Sequence, residues 1–123
     1  MSNLFYREYG SGEPLIILHG LLGCSDNWIF HGKKFSNFFH VFLIDQRNHG
    51  NSPHSSKISY DSLSEDIYEF IIGKKLSSVK IIGHSMGGKV AMLFTLKYPE
   101  FVDKLIVVDI APKDYSVHAR FNN

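Results

Sequence analysis

Val79-Lys80-Ile81-Ile82-Gly83-His84-Ser85-Met86-Gly87-Gly88-Lys89 is the stretch that decides the fold. Its first four residues form a short apolar run and the next six a glycine-rich turn. Lys89 then opens a segment that reads as helix until Pro99 stops it. Strand, tight turn and helix in that order predict one βα unit. Within the turn, Gly83 and Gly87 flank Ser85 in the pattern Gly-x-Ser-x-Gly. A serine hydroxyl attacks poorly unless a base removes its proton and the residue is held clear of the sheet. The turn does the holding, and the helix after it aims N–H groups and a positive dipole end at any oxyanion that forms. Ser85 is therefore the candidate nucleophile, and the backbone N–H of Met86 a candidate oxyanion donor. Stripped of its flanking strand and helix, the same pentapeptide would be only a glycine-rich turn. His84 reads as structural, because its ring leaves the turn in another direction.

Working outward, the elements on either side repeat the alternation. Leu15-Ile16-Ile17-Leu18 is a continuous apolar run, as expected of a strand buried on both faces, and a more exposed strand is expected before it, near residues 4–9. His19-Gly20-Leu21-Leu22-Gly23 follows, and the mechanics of the serine turn place a second oxyanion donor in this loop, which makes the N–H of Leu21 the candidate. The alternative is that His19-Gly20 only ends a strand. Ser25 or Asp26 can cap a helix running toward Phe39, with Trp28, Phe35 and Phe38 inward and Gly32 a weak point.

Val41-Phe42-Leu43-Ile44 is the next buried strand, and residues 46–57, rich in Asn, Ser, Gly and Pro, form a loop. Leu63, Ile67, Phe70 and Ile71 make the stripe of an amphipathic helix with Gly73 near its end, and Leu105-Ile106-Val107-Val108 is a last strand, expected at a sheet edge. Alternation of this kind predicts an α/β fold: a mostly parallel sheet with helices on both faces and its ligand-handling groups at the carboxyl ends of the strands. In the loop after residue 44, Asp45 and Arg47 are expected to pair and His49 to serve as a loop donor.

Composition narrows the function classes. The chain has 123 residues and a formal net charge of +1, with its 13 basic and 12 acidic residues scattered, so no stripe tracks a phosphate backbone and no nucleic-acid partner is expected. Cys24 is the single cysteine, which allows no internal disulfide and points to no thiolate metal site. Cys24 is expected to be a buried, inert thiol. The N-terminus turns polar before any signal-like core and no run approaches a membrane span, so the expected location is cytoplasmic. No cofactor or metal is expected.

In chain order, residues 19–23, Asp45-Gln46-Arg47-Asn48-His49-Gly50-Asn51-Ser52-Pro53-His54, residues 83–89 and Val108-Asp109-Ile110-Ala111-Pro112 resemble the YbfF-type esterase branch of the α/β-hydrolase superfamily. The resemblance covers the N-terminal half of that fold. It implies a serine esterase acting on small-molecule acyl esters, thioesters included, through an acyl-enzyme intermediate. It also places the triad acid directly after the strand that follows the serine helix, at Asp109. Position supports this, since Asp109 ends a strand at the edge where Ser85 is exposed; the alternative is a loop-capping aspartate before Pro112.

The triad histidine comes last in this fold, in family members roughly twice this long. His118 is the only histidine after Asp109, in a segment that leads into the cap in relatives, so the base is expected to be missing from the chain. Residues 112–123 are expected to begin a cap or to form a disordered tail. Two readings follow. In one, a complementing C-terminal chain completes the esterase; in the other, the chain is a truncated, non-catalytic remnant.

Overall fold

The computed structural model describes residues 3–108. Asp109, His118 and the expected cap segment 112–123 lie outside the described residues. Strands β1 (Tyr6–Tyr9), β2 (Pro14–Leu18), β3 (His40–Ile44), β4 (Val79–His84) and β5 (Val102–Val108) form one sheet in the order β1-β3-β2-β4-β5. β1 runs antiparallel to β3, and the other neighbours pair parallel. The predicted α/β architecture, mostly parallel, is what the chain adopts.

Helices α1 (Ile29–Phe35), α2 (Tyr60–Gly73) and α3 (Met86–Lys97) cover the two faces unequally. Alternate residues of the central strands explain the split. Ile16, Leu18, Phe42 and Ile44 point to the face where α2 and α3 bring Leu63, Ile67, Phe70, Val90 and Phe94. Leu15, Ile17, Val41 and Leu43 point the other way, where Trp28, Ile29 and Phe35 pack. Both sides of β2 and β3 are thus buried, so these strands read as unbroken apolar runs rather than as alternating ones.

Two expectations for the first helix need correction. Residues Ser25–Trp28 form a 3-10 turn and the α-helix ends at Phe35. The N–H of Phe39 then closes on the Phe35 carbonyl, which puts Phe39 against the core and leaves Phe38 75% exposed. Gly32 is a fitting device rather than a weak point. A Cβ there would sit 3.0 Å from Leu43 Cδ1, so the glycine lets α1 lie close to β3 without displacing the Leu43 side chain.

The expected Asp45–Arg47 pair does not form either. Arg47 makes a bidentate pair with Asp66 on α2, Nε to Oδ2 at 3.0 Å and Nη2 to Oδ1 at 2.8 Å, and its Nη1 donates to the Lys57 carbonyl at 2.5 Å. Asp66 lies within the apolar stripe of α2 and is almost fully buried, so its charge requires that partner. This fork ties the loop after β3 to the helix. Removing the carboxylate with Asp66→Ala would strand a guanidinium in the core and should lower stability by about 3 kcal/mol. Urea unfolding should show this as a lower midpoint with unchanged slope.

Candidate active site

Parallel strands bring their carboxyl ends to one edge, and four segments meet there: the ends of β2, β3, β4 and β5. Ser85 occupies the step between β4 and α3. Its backbone, at φ 54° and ψ −114°, lies in a region that non-glycine residues rarely adopt. Three contacts enforce it. The Ser85 N–H donates to the Val108 carbonyl at 3.0 Å, and its own carbonyl accepts from the N–H groups of Gly88 and Lys89. The helix therefore begins at Met86, three residues earlier than the sequence pattern suggests.

Glycine spacing allows this. A Cβ at residue 87 would fall on the Leu18 carbonyl oxygen and within 2.6 Å of that of His19, so α3 starts in backbone contact with the end of β2. The Ser85 side chain is left exposed, facing a cavity of about 490 Å³ whose lining includes Leu21, Tyr60, Met86 and Met92. Ser85 and the two candidate oxyanion donors, Leu21 and Met86, thus share one cavity. The loop and the turn touch directly: a Cβ on Gly20 would be 3.4 Å from that of Ser85 and 2.9 Å from His84 Nδ1. The ring of His84 lies edge-on to Trp28.

Beneath the loop lies a polar network that sequence reasoning missed. His19 and Gln46 are almost fully buried. The Gln46 backbone N–H donates to His19 Nε2 at 3.0 Å, so that nitrogen carries no proton. His19 Nδ1 carries it instead and donates to the Gly20 carbonyl at 2.8 Å. Gln46 Nε2 donates to the His19 carbonyl at 2.9 Å. With both ring nitrogens engaged, His19 has no free position from which to accept a proton from Ser85. His49, the predicted loop donor, gives its Nδ1 proton to the Arg47 carbonyl at 2.9 Å.

Asp45 completes the support. Its carboxylate accepts the Ser25 N–H at 2.6 Å and the Asn51 N–H at 2.9 Å, linking the segment after the oxyanion loop to the loop after β3. Cys24 is half-buried rather than buried, and its N–H donates to Asn27 Oδ1. Among the described residues no helix is long and apolar enough to cross a membrane.

Comparison with known proteins finds relatives of this chain. The family model described as "alpha/beta hydrolase fold" matches residues 13–122. A "Putative esterase/lipase" of Haemophilus influenzae is 48% identical over 82% of this chain and 35% of its own length. "Esterase YbfF" of Escherichia coli is 35% identical over 87% of this chain and 42% of its own. Among solved structures, one titled "Marine microorganism esterase" superposes with a TM-score of 0.87 at 58% identity, covering 94% of this chain and 45% of that one. The chain therefore spans less than half the length of these relatives.

Burial holds the His19 imidazole below its ordinary pKa of 6.5, since charging it would desolvate a cation. The folded protein then resists a proton that the unfolded chain takes up. The resulting stability is present in full above pH 6.5 and is lost as pH falls below it. Wild type should accordingly lose more stability than His19→Asn between about pH 7 and about pH 5, measured by urea midpoints.

Proposed function

The chain belongs to the α/β-hydrolase fold family, and on that footing we propose that it forms the nucleophile half of a serine esterase acting on small-molecule acyl esters. The observation that carries this reading is the strained, exposed Ser85 between β4 and α3, opening into a cavity that also meets Leu21 and Met86. Strain of this kind persists only where surrounding structure over-determines it, and it concentrates at sites that use it.

In the proposed reaction, Ser85 Oγ attacks the ester carbonyl while a histidine takes its proton. The N–H groups of Leu21 and Met86 stabilise the oxyanion, the alcohol leaves with the proton from the imidazolium, and an acyl-enzyme remains. Water then attacks by the same route and releases the acid and the free serine. Asp109 is assigned to orient the histidine. Support for this comes from Val108, the residue before it, whose carbonyl accepts the Ser85 N–H.

The proposal assigns the base to the part of the fold that the relatives carry beyond the matched segment, either in a longer chain or in a complementing one. The apolar side chains that line part of the cavity, among them Ile58, Leu63 and Met92, suit the acyl portion of the ester. Thioesters fit the same chemistry, because the attacked carbonyl is the same.

In the intact protein, Ser85→Ala should reduce hydrolysis of a short p-nitrophenyl ester by on the order of 10⁴-fold or more. It should also abolish labelling by a fluorophosphonate probe. Turnover at the wild-type rate in the alanine variant would sink the assignment.

A further inference from the structure

We infer that Gln46 is a positioning residue for oxyanion stabilisation, acting through His19 to aim the Leu21 N–H at the reacting carbonyl. This role rests on the esterase reading above, in which that N–H is one of the two donors. Neither Gln46 nor His19 lines the cavity, and both are almost fully buried, so any effect they have on the reaction must pass through the loop.

Planarity of the peptide bond supplies the link. The Gly20 carbonyl and the Leu21 N–H belong to one trans peptide unit and point in opposite directions, so fixing the carbonyl fixes the N–H. That carbonyl accepts two hydrogen bonds, from His19 Nδ1 at 2.8 Å and from the Gly23 N–H at 3.0 Å. The first exists only while His19 is the neutral tautomer protonated on Nδ1. Gln46 selects that tautomer, because its backbone N–H points at Nε2 from 3.0 Å and leaves no room for a second proton between them.

The Gln46 side chain controls the preceding peptide in the same way. Its amide donates to the His19 carbonyl at 2.9 Å, which sets the direction of the Gly20 N–H. Rotating the amide by half a turn would set two oxygens against each other, so this orientation is dictated by the carbonyl. It is kept although Gln46 Oε1 is buried with no hydrogen-bond partner among the described residues. Two consecutive peptides at the end of β2 are thus aimed by one residue at the end of β3. The loop they lead into abuts Ser85 at the Gly20 Cα, so a small rotation of either peptide would swing the Leu21 N–H away from the oxyanion.

The test compares the intact wild-type protein with Gln46→Met, which keeps the length of the side chain and the backbone N–H on His19 Nε2 but removes the amide that holds the His19 carbonyl. Turnover of p-nitrophenyl acetate should fall about tenfold with KM nearly unchanged, since oxyanion contacts strengthen only in the transition state. Affinity for a trifluoromethyl ketone, which forms a tetrahedral oxyanion on the serine, should fall by the same factor. His19→Asn, whose amide nitrogen can stand where Nδ1 stood, should retain more activity than His19→Leu. A drop in kcat without a matching loss of ketone affinity, or no drop at all, would overturn the role.

A measurement on wild type needs no variant to fold. The ¹⁵N shifts of His19 should report a neutral ring protonated on Nδ1, and a ring protonated on Nε2 would refute the inference. Ser85→Ala, assayed alongside, separates the two levels. If it turns over like wild type, the esterase reading fails. If it is silent while Gln46→Met matches wild type in kcat and ketone affinity, only the positioning role fails.

Discussion

Backbone meets backbone where α3 begins, and the rest of the site depends on that contact. With no side chain at residue 87, the first turn of the helix rests on the carbonyls of Leu18 and His19. Gly83 stands on the other flank of the turn, where a Cβ would approach the Gly87 carbonyl oxygen to 2.5 Å. The chain must therefore reverse within a few atoms of β2, and the residue at the apex takes the strain. A serine there is lifted from the sheet by geometry that the serine itself does nothing to create.

Such a tight junction would be of little use if the neighbouring loops were loose. The end of β3 is tied to its surroundings by buried polar groups. Asp45 holds residues 25 and 51, Arg47 holds α2 through Asp66, and Gln46 holds the loop after β2 through His19. Three successive residues at the end of β3 thus anchor three different parts of the molecule. Burial strengthens each of these bonds and makes each one costly to leave half-formed.

Much of this was legible in the sequence. The apolar runs gave the strands, the offsets of Leu63, Ile67, Phe70 and Ile71 gave α2, and the serine turn was recognisable from the glycines and the elements flanking it. The polar pairings were not legible, because strand ends read as loops and pattern alone does not say which carboxylate meets which cation. One signal was available for Asp66: it falls three residues after Leu63 and four before Phe70, so it sits on the buried face of α2 and must have a cation partner. Nothing comparable marks Gln46, whose role depends on β2 and β3 lying side by side. The misplacement of Phe38 has a similar origin, since residues 38 and 39 are both compatible with a helical stripe, and only the early end of α1 decides between them.

The backbone at Ser85 also bears on how this protein would respond to selection. A non-glycine residue at φ 54° and ψ −114° carries a penalty of order 1–3 kcal/mol that glycine would largely escape. A laboratory screen rewarding heat tolerance alone would therefore favour glycine at position 85, and would enrich sturdier molecules that have lost the hydroxyl. Stability and chemistry compete here at a single residue. A library drawn from this chain should be sorted for hydrolysis first and for robustness second, or the screen will discard the property it was meant to preserve.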